Sequence, residues 1–265
     1  MDKLESLKSN LFSLGSVVVA YSGGTDSSLL LKVAFDCLGE RVLALTAVSP
    51  SMPAHERAEA EAVARAIGTR HAWVESRETE DPRYMANTPQ RCYVCKSIRF
   101  GQLVEFARRE GYGWVVDGAN ADDVDDFRPG QQAAGELGVR SPLQEAGLGK
   151  AEIRQLARQL GLPNWDKPAS ACLASRVPYG DPITAQALAQ IERAEQVLGQ
   201  LGFRQLRVRH HGQLARIELE AADLEAALAQ RERIVEQLKG LGYTYVALDL
   251  AGFRSGSMNE MLTRP

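Results

Sequence analysis

Apolar runs and amphipathic stretches alternate along the first 165 residues. Residues 17–21, VVVAY, are short, apolar and β-branched, the mark of a buried strand. A helix is predicted over 27–38, a second strand over 42–48, and a helix over 54–67 that sets Ala62, Val63, Ala66 and Ile67 on one face. Residues 72–75 predict a third strand, 96–110 a helix, 114–117 a fourth strand and 150–160 a helix closed by Gly161 and Pro163. Strands alternating with helices at this spacing predict an α/β fold, a doubly wound parallel sheet. The rhythm breaks over 164–182, where Pro168, Pro178, Pro182 and Gly180 mark a functional loop. Beyond it a helix is predicted over 184–201. A half-buried strand follows over 204–210, alternating Leu206 and Val208 with Arg207 and Arg209. A hairpin partner over 215–219, a helix over 224–241 and a strand over 243–248 complete a smaller α+β domain, and the polar tail from Gly252 reads as a loop. The expected organisation is an α/β domain at 1–165, an active-site loop between domains at 166–183, and a small C-terminal α+β domain for substrate binding or oligomerisation at 184–265.

Composition narrows the setting. In 265 residues, hydrophobic residues make up 45% and charged residues 25%, an ordinary globular balance. Lys and Arg number 31 against 34 Asp and Glu. That balance argues against nucleic acid as main partner, because neutralising phosphates takes clustered cations. No run approaches the ~20 apolar residues of a membrane span. Residues 1–10 carry Asp2 and Glu5 among lysines, without the apolar core of a leader, so the expected location is the cytoplasm. In that reducing setting the four cysteines, Cys37, Cys92, Cys95 and Cys172, are expected as thiols, metal ligands or reactive groups rather than disulfides.

The sharpest signal is Ser22-Gly23-Gly24-Thr25-Asp26-Ser27, directly between the strand predicted over 17–21 and a helix. Glycines let the backbone turn tightly and approach a ligand. The helix N-terminus offers N–H groups and a positive dipole end to an anion. Asp26 is out of place beside an anion unless it faces a Mg²⁺ bridging phosphates. The loop lacks the GxxxxGK[ST] of a γ-phosphate-transferring P-loop. The plain alternative is a helix cap by Thr25 or Asp26. Two further strand ends, at 46–50 with Ala47 and Ser49 and at 117–120 with Asp117, Gly118 and Asn120, fall where a sheet of this class presents a nucleotide pocket. Asp122, Asp123, Asp125 and Asp126 are either part of that pocket or a solvated acidic loop.

Cys37 falls at helical spacing from Leu30, Val33 and Ala34 and reads as core. Cys92 and Cys95 form a CxxC just before a predicted helix, and Cys172 lies in the ASACLASR stretch of the loop. A redox pair wants a different fold context, and a structural zinc site wants four ligands. Three thiolates leave one metal position open, which suits an iron–sulfur cluster; unrelated cysteines remain the alternative. Arg176, Arg207 and Arg209 are candidate anion ligands, the last two on one strand face, and Ser175 is a candidate phosphate donor. The plain alternative for the three arginines is an exposed polar surface.

SGGTDS after a buried strand resembles the PP-loop of the ATP pyrophosphatases, the adenine nucleotide alpha hydrolase-like fold, over about residues 17–125. SGGTDSSLL, RCYVCK, PASACLASRVPYG and RVRHHGQLARIEL together resemble the LarE family almost end to end. That family's members are ATP-dependent sulfur transferases of nickel-pincer nucleotide synthesis, the cofactor of lactate racemase. The resemblance implies ATP at Ala20, Ser22, Gly23, Gly24, Thr25, Asp26, Ser27, Ala47, Ser49, Asp117, Gly118 and Asn120, with Mg²⁺ on Asp26. It implies a substrate, pyridinium-3,5-biscarboxylic acid mononucleotide, on Ser175, Arg176, Arg207 and Arg209, and Cys172 and Asp26 as the reactive groups. Two variants exist in the family: one sacrifices the sulfur of a single cysteine, the other carries sulfur on a [4Fe-4S] cluster. Cys172 matches the sacrificial position, and Cys92 with Cys95 matches the added pair of the cluster type. The resemblance further implies a homo-oligomer and leaves the sulfur donor open. A tRNA thiolation enzyme and an ammonia-dependent synthetase of the GMP or NAD type are the rival readings.

Overall fold

The structure is a computed structural model describing residues 2–123, 129–168, 170–254 and 256–261. In chain order the elements begin α1 (Lys3–Leu14), β1 (Val17–Ala20), α2 (Thr25–Leu38), β2 (Val42–Val48), α3 (Ala54–Ile67), β3 (Arg70–Glu75), α4 (Pro82–Met85), α5 (Arg91–Arg109) and β4 (Trp114–Val116). They continue α6 (Pro129–Glu136), α7 (Pro142–Glu145), α8 (Lys150–Gln159), α9 (Ala185–Gln200), β5 (Leu206–His211), β6 (Leu214–Leu219), α10 (Leu224–Ala229), α11 (Arg231–Gly240) and β7 (Tyr245–Leu248). The chain divides into two compact units: Met1–Asp81 with Gln90–Ser170, and Pro82–Pro89 with Ala171–Pro265. The segment 82–89 thus belongs with the C-terminal residues, a membership that its position in the sequence conceals.

The first unit is the expected parallel α/β sheet, in the order β3-β2-β1-β4 with every pair parallel. Val17 stands opposite both Val42 and Trp114. Val17, Val19, Val42, Ala44 and Val116 join a core with Leu7 and Leu11 of α1, Leu30 of α2, Val63 of α3 and Ile153 of α8. Val18, Leu43, Leu45 and Val115 join a second core with Phe100 and Leu103 of α5 and Ala134 of α6. Helices on both sheet faces explain why these strands read as continuous apolar runs. The strand order also makes β1 the switch point, with β2 on one side and β4 on the other, and a crevice opens beyond such strand ends. A surface cleft of about 370 Å³, lined by Tyr112, Trp114 and Leu137, lies at the opposite end of β4 and takes no part in that crevice.

The second unit carries a three-stranded sheet, β5-β6-β7, antiparallel between β5 and β6 and parallel between β6 and β7. Leu198 of α9, Val208, Ile217, Leu219 and Leu238 of α11 form its core. The helix predicted over 224–241 is two helices that part at Gln230. The tail is not wholly a loop: a 3₁₀ turn at Ser257–Met261 buries Ser257. Asn87, at φ 50° and fully buried, donates from Nδ2 to the carbonyls of Pro178 (2.7 Å) and Asp181 (3.0 Å). Its own carbonyl accepts from the Gly180 amide. This one side chain fastens 82–89 to the loop that follows Cys172.

Among the described residues no helix is long and apolar enough to cross a membrane.

Candidate functional site

The phosphate loop runs from Tyr21 at the end of β1 to Thr25 at the start of α2. Gly23 has φ 74°, and a Cβ there would sit 2.7 Å from the Cβ of Ala60 on α3. Only glycine fits both that conformation and that contact. Gly24 is the N-cap of α2 and supplies no side-chain cap, so the helix start depends on the loop or on a ligand for its first N–H groups. The Gly24 amide donates to Ser22 Oγ (3.3 Å), and Ser27 Oγ donates to the Gly24 carbonyl (3.1 Å). Ser22 is exposed, whereas Thr25 and Ser27 are buried. Gly118, after β4, packs so closely on the first turn of α2 that a Cβ would lie 3.0 Å from the Ser27 amide nitrogen. Ala20 and Ala47 are half-buried at the ends of β1 and β2.

Asp26 points into this crevice and meets Lys150 Nζ at 2.5 Å and Asn120 Nδ2 at 3.1 Å. Lys150 is the first residue of α8. A cation at a helix N-terminus opposes the dipole; Lys150 was passed over in the sequence, and that oddity is the one signal it carries. Asp117 is buried and accepts from Ser141 Oγ (2.7 Å) and the Ala119 amide. Asp122 and Asp123 cap backbone amides, of Lys150 (2.8 Å) and Asn120 (3.0 Å) respectively. Asp125 and Asp126 lie outside the described residues.

Asn164 braces the loop from behind. Its Nδ2 donates to the Gly23 carbonyl (3.0 Å) and Ser28 Oγ (2.9 Å), and its carbonyl accepts from Thr25 Oγ1 (2.9 Å). Three residues on, Lys167 pairs with Glu56 (2.5 Å) and Glu59 (2.7 Å). Burial opposes the Glu56 charge, but His55 and Lys167 outweigh it and hold its pKa at about 2.

Ser49 belongs to a buried polar knot rather than to an open strand end. Glu78, fully buried, accepts from Ser49, Ser51 (3.1 Å), Ser76 and Arg99 (2.6 Å). Burial alone would raise the Glu78 pKa; Arg99 and the hydroxyls reverse this and take it down to about 2. Arg99 lies on α5 one turn beyond Cys95. The helix α5 begins at Arg91, so the CxxC occupies its first turn rather than preceding it, as was expected. Cys92 and Cys95 therefore share one helix face, the first exposed and the second half-buried.

Cys172 is half-buried in the second unit, at the N-cap of a 3₁₀ turn, Leu173–Arg176. None of the four cysteines is disulfide-bonded. Burial raises the pKa of Cys37, which packs on the α2 core as expected. Cys92 and Cys95 in the first unit and Cys172 in the second are thiol donors of the kind iron takes. No group of three or more metal-ligating side chains is gathered among the described residues.

The arginines of the second unit differ from one another. Arg176 is 2% exposed and holds Glu195 through two bonds of 2.9 Å. Arg209, also buried, pairs with Glu218 (2.6 Å), Ser257 Oγ (2.9 Å) and the Ser175 carbonyl (3.1 Å). Arg207 is half-buried, lies over the Phe253 ring at 5.2 Å, and has its pKa lowered to about 10 by burial and by the neighbouring charge of Arg176. Ser175 is half-buried beside them. The counter-ions Glu195 and Glu218 carried no sequence signal.

No family model matches the chain. The chain is 41% identical, over 99% of its length and 95% of the other protein, to the pyridinium-3,5-bisthiocarboxylic acid mononucleotide synthase of Lactiplantibacillus plantarum. It belongs to that enzyme's family, the LarE family. An uncharacterized protein of Synechocystis is 46% identical over 99% of this chain and 98% of its own. A partial likeness, 30% identical over 62% of this chain and 52% of the other, connects the family to the tRNA-specific 2-thiouridylase MnmA of Xanthobacter autotrophicus.

Proposed function

We propose that the chain is an ATP-dependent sulfur transferase that converts the carboxylates of pyridinium-3,5-biscarboxylic acid mononucleotide to thiocarboxylates. The observation that carries this is the backbone-built cradle at Gly23–Ser27 in a chain 41% identical to the named synthase over 99% of its length. A carboxylate is a poor electrophile until its oxygen is made a leaving group. A substrate carboxylate oxygen attacks the α-phosphorus of ATP; pyrophosphate departs and an acyl-adenylate remains. The free N–H groups of the α2 start would hold the departing pyrophosphate. Asp26 would hold Mg²⁺, and Lys150, now on Asp26, would turn to the phosphates. A sulfur nucleophile then attacks the acyl carbon and expels AMP, which carries off the original oxygen. Each carboxylate consumes one ATP.

Arg207, half-buried, would receive the substrate's anions with Ser175, whereas Arg209, buried against Glu218, holds the turn through the Ser175 carbonyl. Cys92, Cys95 and Cys172 would hold a [4Fe-4S] cluster, which when bound supplies a labile, iron-bound sulfide. The free mononucleotide is the partner, in the cytoplasm and in a homo-oligomer.

The test is anaerobic purification followed by incubation with ATP, Mg²⁺, sulfide and the mononucleotide. AMP, pyrophosphate and a product in which sulfur has replaced carboxylate oxygen are expected, with about four irons per chain. Pyrophosphate without any sulfur-containing product sinks the transferase reading. Product without iron sinks only the cluster, and the mass of Cys172 after turnover then shows whether its own sulfur was given up.

A further inference from the structure

The resemblance assigns Arg176 to the substrate, but its surroundings are those of an internal brace. Among the described residues it is the largest fully buried side chain. Each guanidinium nitrogen is already engaged. Nε and Nη2 make the paired bonds to Glu195, and Nη1 donates to the carbonyls of Ala171 (2.6 Å) and Cys172 (3.0 Å) and to Ser175 Oγ (3.0 Å). An incoming phosphate or carboxylate would have to displace a buried carboxylate or unmake the turn itself. The bonds to residues 171 and 172 instead fix the backbone from which the Cys172 thiol projects. Glu195 extends the brace. Its Oε1 also accepts from the Val208 amide (3.0 Å), which lies between Arg207 and Arg209 on β5. Arg209 completes the ring by donating to the Ser175 carbonyl.

We infer that Arg176 and Glu195 are positioning residues: they set the Cys172 turn in register with β5, so that the sulfur-handling residue and the anion ligand Arg207 hold a fixed spacing. This rests on the reading of Cys172 as the residue through which sulfur reaches the substrate. It predicts a defect confined to the second half-reaction. Adenylation is performed by the phosphate loop and needs no particular placement of Cys172, whereas attack on the acyl carbon does.

Single removal of either charge strands the other in a buried site, so the pair is neutralised together as Arg176→Met with Glu195→Gln, where Gln keeps an acceptor for the Val208 amide. Wild type, this double variant and Arg176→Lys are prepared anaerobically and assayed for pyrophosphate release and for thiocarboxylate product across mononucleotide concentrations. Hydrogen exchange of residues 171–176 is followed alongside. In the double variant, kcat for thiocarboxylate falls about 100-fold, KM for the mononucleotide moves less than about threefold, and the 171–176 amides lose protection. Arg176→Lys, which keeps a charge beside Glu195 but loses the fork, recovers part of the loss, and it carries the same test if the double variant does not fold. A KM raised tenfold or more with kcat retained would make Arg176 a substrate ligand and overturn the inference. So would unchanged product formation. A Cys172→Ser protein that makes product at the wild-type rate would instead bring down the functional reading on which this one rests.

Discussion

Two parts of this molecule carry the proposed chemistry, and they are made in opposite ways. The phosphate loop is a backbone device. Gly23 and Gly24 let the chain turn within contact of Ala60, the start of α2 presents N–H groups, and Asn164 binds the loop through a carbonyl and hydroxyls. The Cys172 turn is a side-chain device. Buried guanidinium groups of Arg176 and Arg209 grip its carbonyls, and buried carboxylates of Glu195 and Glu218 neutralise them. A backbone cradle keeps its shape whatever the ionisation of nearby groups and tolerates almost no change at its glycines. An ion-pair scaffold tolerates matched replacement and fails when one partner is lost.

The comparison breaks first at Gly23. Gly23→Ala forces a methyl against Ala60 in a φ region that alanine avoids. Pyrophosphate release should fall by about 100-fold, with destabilisation of about 1–3 kcal/mol in thermal unfolding. A variant retaining more than half the activity would show that the loop is not held by its backbone.

Glu78 gives the opposite kind of test, since it stiffens the rim of the same sheet by charge. Its pKa, ordinarily about 4.5, is about 2 in the folded chain. A depressed carboxylate stabilises the fold above its unfolded pKa and stops doing so as pH falls through the folded value. Between pH 4.5 and 2 the first unit should therefore lose stability on the order of 3 kcal/mol at this group, and Glu78→Gln should flatten that part of the curve. Equal acid sensitivity in wild type and variant would remove Glu78 from the account. The smallest effect is expected at Asn164→Ala, about 1–2 kcal/mol, seen as a lower melting temperature that ATP with Mg²⁺ partly restores.

Much of the first unit was legible because its strands are buried on both faces and its helices have one apolar side. What escaped was set by tertiary contact. In α1, Leu4, Leu7, Leu11 and Leu14 recur at helical spacing, yet the segment was weighed only as a leader, and its helix is fixed by burial of Leu7 and Leu11. The CxxC was placed before its helix because nothing ahead of Arg91 advertises a helical start: Gln90 stands at the N-cap without a side-chain bond. The glycines of the phosphate loop were readable because their need is local. Glu195 was not, because within the helical run AQIERAEQ it looks like any solvent-facing residue until β5 and the Cys172 turn close over it. The same holds for Asn164 and Asn87, whose partners lie far away in sequence.

That last residue has a consequence for how the chain is made. Residues 82–89 leave the ribosome well before residues 171–265, to which Asn87 and the buried Tyr84 belong. At ordinary translation rates the delay is on the order of ten seconds. The first unit is therefore complete in sequence before the berth of 82–89 has been synthesised, and the second unit can close only after its last strand arrives. Exchanging the C-terminal part between relatives at residue 170 would leave this strap behind, matched to the wrong partner; a chimera should carry 82–89 with it.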